Sequence, residues 1–177
     1  MLTLALLRHA KSSWDDPALE DFDRPLAERG LAAAPLMADH MSALALRPAL
    51  VVCSTSVRTR ATLELVKSAL GSPPSAIVYE DGLYLASASD LLARLRRIPA
   101  HTASVLMIGH NPGFHDLALL LAEPRLSDAS RALVAKFPTA GLAVLTFDAV
   151  SWARILQGGG HLAHFMSPSR LKRPAPC

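Results

Sequence analysis

The chain has 177 residues, enough for one domain with a core of its own and too few for two ordinary ones. Apolar residues make up 51% of it and charged residues 19%, which excludes a disordered chain. The formal charge is +3, from 18 basic against 15 acidic residues, with no dense basic stripe or arm of the kind that nucleic-acid binders carry, so the mild excess reads as a solvated surface with a few anion-binding arginines.

The first apolar run, residues 2–7, is far too short to span a membrane, and it meets Arg8 too early and without a basic leader to be a signal peptide. It reads as a buried strand. A segment of helical period follows over about 26–46, where Pro35 predicts a kink or a late start. Residues 50–53 form the second strand, ending in Cys53, which reads as a small buried hydrophobe; with Cys177 as the only other cysteine, neither a disulfide framework nor a metal site is indicated. A helix over 57–70, a strand over 76–79, a helix over 88–98 and a strand over 104–108 come next. Helices over 113–121 and 127–136 lead to strands over 142–147 and 161–165. The stretch 149–160 reads as a hairpin connection.

Short apolar runs without alternation suit strands buried on both faces. Strand alternating with helix predicts a three-layer α/β/α sandwich, its central sheet mostly parallel but mixed, with an antiparallel edge from the final hairpin. One domain is expected over 1–177, with 168–177 a loosely ordered tail. A reducing cytoplasm is the expected location, with neither a membrane nor a nucleic acid as partner.

Three strands run into polar residues of one chemical kind. The first meets Arg8-His9-Ala10-Lys11-Ser12, the second Ser54-Thr55-Ser56-Val57-Arg58, and the fourth Gly109-His110-Asn111-Pro112-Gly113. Ligands of open α/β sheets sit at the carboxyl ends of strands, so two arginines and two histidines are expected at one edge. Arginine matches phosphate oxygens bidentately. Asn111-Pro112 reads as an N-cap with proline in the first helical position, and Ser54, Thr55 or Ser56 is expected to cap the helix that carries Arg58. Helix starts of this kind favour anions. A neutral imidazole there can attack phosphorus and hold the phosphoryl group covalently, with the second histidine stabilising its oxygens.

The segment Leu7-Arg8-His9-Ala10-Lys11-Ser12-Ser13-Trp14 resembles the Arg-His-Gly signature of the histidine phosphatase (phosphoglycerate mutase-like) superfamily. Ala10 stands in place of the glycine, as in the small SixA-like branch. Asp23-Arg24-Pro25-Leu26 with Glu28-Arg29-Gly30, Cys53-Ser54 through Arg58 to Thr62, Gly109-His110-Asn111-Pro112 and Phe137-Pro138-Thr139-Ala140-Gly141 carry the resemblance in order to about residue 172. It implies a phosphoglycerate mutase-like fold, no metal or organic cofactor, His9 as the phosphorylated nucleophile, and Arg8, Arg58 and His110 as the rest of the phosphate pocket. Lys11, Arg24 and Asn111 would bind the substrate, with Lys11 and Arg24 on the rim. The branch implies phosphohistidine in a protein as substrate, a histidine phosphotransfer domain among the options. A small phosphoester and a non-catalytic phospho-binding module of the same fold are the alternatives.

Larger members of the superfamily supply a glutamate after the third strand to protonate the leaving group. Here the stretch Tyr79-Glu80-Asp81-Gly82-Leu83-Tyr84-Leu85-Ala86-Ser87 does not match that motif, and no general acid is assigned. His161 and His164 are expected on opposite faces of a strand, which argues against a zinc site. His115 has a structural role or a place on the rim, His40 and His101 are expected at the surface, and Trp14 is expected to shield the first loop.

Overall fold

The computed structural model describes residues 1–71 and 76–172. Six strands, β1 (Leu2–Arg8), β2 (Leu50–Ser54), β3 (Ala76–Glu80), β4 (Ser104–Gly109), β5 (Leu142–Phe147) and β6 (Gly160–Met166), join one sheet in the order β3-β2-β4-β1-β5-β6. The first four run parallel; β5 is antiparallel to both β1 and β6. This is the α/β/α architecture expected from the sequence, with the mixed edge that the final hairpin predicts.

The continuous apolar run of β1 follows from its position. Leu2, Leu4 and Leu6 enter one core layer beneath α3 (Ala88–Arg96), α4 (Gly113–Leu121) and α5 (Asp128–Ala135), while Ala5 and Leu7 enter the other, beneath α1 (Glu28–Ala43) and α2 (Val57–Val66). Each such leucine, fully buried, contributes about 1.5–3 kcal/mol. Local signals agree at α3, where Ser87 and Asp90 form a reciprocal capping box, and at α5, where the Ser127 hydroxyl accepts the Ser130 N–H.

Several expectations need correction. The helix passes through Pro35 without a late start; the proline is exposed, so water can reach the carbonyl of Leu31 that it leaves without a helical donor. β3 is an edge strand, not a buried one, and Val78 and Tyr79 are largely exposed. Pro168–Leu171 form a short helix, α6, beside α1 instead of a loose tail, and 173–177, Cys177 included, lie outside the described residues. A register shift where β6 pairs with β5 breaks strict alternation, so that Leu162 and Phe165, three apart, enter the same core layer. The opposite-face argument for His161 and His164 therefore fails. Their surroundings differ all the same: His161 bonds Glu123, while His164 lies near His40. His40 is half-buried, its Nε2 without a hydrogen-bond partner, where a surface residue was expected. Cys53 is buried as expected, its thiol pushed up to about 12 by burial. No helix among the described residues is long and apolar enough to cross a membrane.

Register is what places the functional edge. Arg8 of β1 pairs with Gly109 of β4, and Cys53 of β2 with Ile108 of β4. Strands β2, β4 and β1 therefore end level, and His9 and His110 are each the first residue beyond adjacent strands. Antiparallel β5 brings its start to the same edge, where Gly141 accepts the Arg8 N–H at 3.0 Å and Ala140 donates to the His9 carbonyl at 3.0 Å. The loop after β1 is clamped by α1: the Ala27 N–H bonds the Lys11 carbonyl at 2.9 Å, and a Cβ on Gly30 would overlap that same oxygen. Gly30→Ala should therefore destabilise the protein by about 1–3 kcal/mol, as overpacking does, with Tm falling by several degrees in thermal unfolding. An unchanged Tm would mean that this loop yields freely.

Candidate active site

Arg8, His9, Arg58 and His110 meet at the carboxyl edge of the sheet, all four from segments that the sequence places there. The rings of His9 and His110 lie with centroids 5.2 Å apart, and the histidines are 7% and 2% exposed. His9 Nδ1 lies 2.8 Å from the Ala10 carbonyl oxygen. A carbonyl can only accept, so Nδ1 carries the hydrogen and Nε2 keeps its lone pair. Ala10 is fully buried, and its N–H donates to Thr62 Oγ1 at 2.9 Å; that hydroxyl in turn donates to the Arg58 carbonyl at 2.7 Å. The imidazole is thus oriented by backbone that is itself held from α2.

The same reasoning fixes His110. Arg58 Nη2 lies 3.3 Å from His110 Nδ1 and can only donate, so Nδ1 accepts and Nε2–H donates to Ser54 Oγ at 2.9 Å. Burial holds both rings neutral. It pulls His9 down to about 4, helped by Arg58 and Arg8 and opposed by the Ala10 carbonyl and Asp21. It pulls His110 down to about 3, with His9, Arg58 and Arg8 adding to it.

Arg58 is 3% exposed and gripped by Asp21, which no motif of the sequence marks. Its Nη1 donates to the Asp21 carbonyl, and its Nη2 to Asp21 Oδ2 at 2.8 Å. Tyr84 donates to the same carboxylate oxygen at 2.6 Å and stands edge-on to His110, 5.2 Å between centroids. Burial alone would raise the Asp21 carboxyl, but the bonds from Tyr84 and Arg58 and the charges of Arg58 and Arg24 hold it below its ordinary range. Asp21 sits two residues before Asp23-Arg24-Pro25-Leu26, outside that motif, and Tyr84 lies among residues whose sequence signal is a carboxylate, Glu80 or Asp81.

Glu80 and Asp81 are committed elsewhere. Arg94 holds Glu80 through both carboxylate oxygens at 2.6–2.9 Å, and Asp81 accepts from Thr55 Oγ1 at 2.5 Å.

The substrate-binding candidates divide. Lys11 lines a cleft beside the pocket, together with Arg8. Arg24 is buried instead of on the rim; its guanidinium stacks 4.0 Å from the exposed Trp14 ring, and its Nε and Nη1 have no hydrogen-bond partner. Trp14 thus covers Arg24 more than it shields the loop. Asn111 does not cap α4. Its amide donates to the Phe137 carbonyl at 3.0 Å, which also accepts Arg8 Nη1 at 2.8 Å, and the helix begins at Gly113 after Pro112. Ser56 takes the N-cap position of α2, but its hydroxyl pairs with Thr59 Oγ1 instead of a backbone N–H. Arg8 Nε and Asn111 Oδ1 are buried and unpartnered. Such groups are costly unless a ligand meets them. His115 is tied to the Leu133 carbonyl at 2.7 Å, a structural position, and His101 is exposed as expected. No group of three or more His, Cys, Asp or Glu that could hold a metal occurs among the described residues.

The family model for branch 1 of the histidine phosphatase superfamily matches residues 4–84. An uncharacterised protein of Mycobacterium tuberculosis is 35% identical over 164 residues, 92% of this chain and 99% of that protein. The chain belongs to the histidine phosphatase superfamily. Within it, the chain is similar in structure to members of the SixA-like branch. A Nakamurella multipartita protein assigned as a SixA phosphohistidine phosphatase superposes with a TM-score of 0.80 at 30% identity, covering 94% of this chain and 96% of that one. The protein histidine phosphatase SixA, in a complex with tungstate, gives 0.77 at 26% identity over 97% and 100%. The chain is a phosphatase of this superfamily.

The buried histidines give the phosphatase a defined acid limb. Both carry folded values below the ordinary 6.5, so the unfolded chain takes up protons first as pH falls. Stability is then fully present above about pH 6.5 and declines as the pH drops toward 4. Urea unfolding between pH 7 and 4 should show this decline, and His110→Gln should flatten it. An equal slope in the variant would assign the effect to other groups.

Proposed function

We propose that this phosphatase hydrolyses phosphohistidine in proteins through a covalent intermediate on His9. The observation that carries the reading is the His9 tautomer: Nδ1–H is fixed on the Ala10 carbonyl, and the Nε2 lone pair is left beside two arginines. In the first step Nε2 of His9 attacks phosphorus in line, and the P–N bond to the substrate ring breaks. A substrate ring that enters protonated takes the electron pair and leaves as neutral imidazole, so no proton has to be delivered in the transition state. The phosphorylated His9 ring is then cationic, and its Nδ1–H bond to the Ala10 carbonyl becomes charge-assisted. Water attacks the phosphorus, the P–Nε2 bond breaks, and His9 is restored neutral with release of inorganic phosphate and a proton.

Arg8, Arg58 and His110 stabilise the equatorial oxygens, where positioning and charge do most of the work. Lys11, on the wall of the cleft, and Asn111, whose Oδ1 is buried and unpartnered, serve the substrate around the phosphate, while Arg24 supports that wall from beneath Trp14. The state of Asp21 supports the choice of leaving group. It is the carboxylate beside the pocket, and a carboxyl held below its ordinary range is ionised at neutral pH and has no proton to give.

His9→Ala should abolish turnover of a phosphohistidine protein while circular dichroism and Tm stay near the parent, because the ring lies beyond the strand end and not in the core. Arg58→Ala should lower kcat/KM by about 10²–10³, the range for loss of one charge-stabilising donor. Near-normal turnover by His9→Ala would move the nucleophile elsewhere. Substrate preference is a second, independent check. Phosphohistidine and p-nitrophenyl phosphate, whose leaving groups need no proton, should exceed a sugar phosphate in kcat/KM by about 10²-fold or more, the value of general-acid help. Equal hydrolysis of the sugar phosphate would defeat the claim that no acid acts, and Asp21→Asn would then be the variant to make.

A further inference from the structure

The cleft beside the phosphate pocket has a volume of about 700 Å³ and is lined by Arg8, Lys11, Arg29, Lys136 and Lys172 with no carboxylate among its walls. These cations come from the end of β1 and the loop after it, the first turn of α1, the residue after α5 and the residue after α6. Elsewhere several cations stand beside a carboxylate, Arg94 with Glu80, Arg125 with Glu123, Arg131 with Asp128 and Lys67 with Glu64. The side chains of Lys11, Arg29, Lys136 and Lys172 have no ion pair or side-chain hydrogen bond among the described residues. In a chain with a net charge of only +3, five cations thus converge on one concave surface beside the active site without a carboxylate on its walls.

We propose that this cleft docks an acidic surface segment of the phosphorylated protein, an inference that rests on the protein-phosphatase reading above. The shape favours a protein over a small polyanion. Arg29, Lys136 and Lys172 are exposed and spread around the cleft, and the remaining walls are small or polar: Ala32, Ala33, Pro138, Thr139, Pro168 and Ser169. A small-molecule site is usually walled by apolar and aromatic side chains that bury the ligand, and no aromatic lines this one. Dispersed, solvated cations instead suit several carboxylates at once, and they act mainly on encounter rate and partner choice. Position supports the same occupant. Arg8 belongs to both the pocket and the cleft, and Lys11 follows His9 by two residues, so residues flanking a phosphohistidine at His9 have the cleft within reach.

The test uses two synthetic phosphohistidine peptides, one flanked by glutamates and one by glutamines, with the full chain and with the double variant Arg29→Glu/Lys172→Glu. The parent should show kcat/KM about tenfold higher for the acidic peptide at low salt. That ratio should fall toward one at about 1 M salt, where the screening length is ~3 Å, and in the double variant, while Arg29→Lys/Lys172→Arg should keep it. Fluorescence anisotropy of an unphosphorylated glutamate-rich peptide, with inorganic pyrophosphate as competitor, gives a reading independent of turnover. If neither phosphopeptide is hydrolysed but the glutamate peptide binds and loses binding in the charge-reversed variant, the docking surface stands and the substrate reading falls. If the parent hydrolyses both peptides equally and the glutamate peptide does not bind, the docking surface is overturned with the phosphatase reading intact. Binding of pyrophosphate alone, dependent on Arg29 and Lys172, would also overturn it by assigning the cleft to a small polyanion.

Discussion

The pairing of β1 with β4 sets the terms for everything at the functional edge. With Arg8 opposite Gly109, two parallel strands end at the same height and the next residue of each is a histidine. A shift by one residue would turn every side chain of β1 to the other face, sending Leu2, Leu4 and Leu6 out of one packed layer and Ala5 and Leu7 out of the other. Core packing on both faces therefore enforces the register, and the register fixes the spacing of the imidazoles. The precision of the site comes from apolar residues that touch no substrate.

Burial then works against charge. Two imidazoles with two arginines alongside would be strongly repulsive if all four were protonated, and the rings escape by staying neutral. The arginines cannot do so. Asp21 relieves them, since its carboxylate bonds Arg58 and lies near Arg24. Tyr84 ties the same carboxylate to the wall that carries His110. The short 3-10 turn Asp21–Asp23 is in this way anchored to the most buried cation of the pocket.

The strand-end residues were legible in the sequence because parallel strands joined by helices all finish on one edge, whatever the side-chain detail. His9, Arg58 and His110 needed no more than that. Asp21 was not legible: its 3-10 turn of three residues is too short to show a period in the sequence, and its partners are 37 and 63 residues away. Asn111 before Pro112 carries a capping signal, but a tertiary partner, the Phe137 carbonyl, outbid the local one. The run Ala76-Ile77-Val78-Tyr79 is apolar enough for the sheet centre, and composition alone does not say that only β2 lies beside it. The strand reading for 161–165 was sound, but the register shift is a property of the pair β5–β6 and leaves no mark on either sequence alone.

The grip of Asp21 on Arg58 bears on how the enzyme lets go. An anion arriving at Arg58 finds the guanidinium already desolvated and already bonded, and it must replace the carboxylate or share the fork with it. Its affinity is therefore a difference between two charge-assisted sets of bonds and not the full strength of either. A tight grip on inorganic phosphate would stall a phosphatase after each cycle. On the proposed role of Arg58, an internal carboxylate able to resume its place would make departure of the product an exchange of partners, with no bare buried cation left behind.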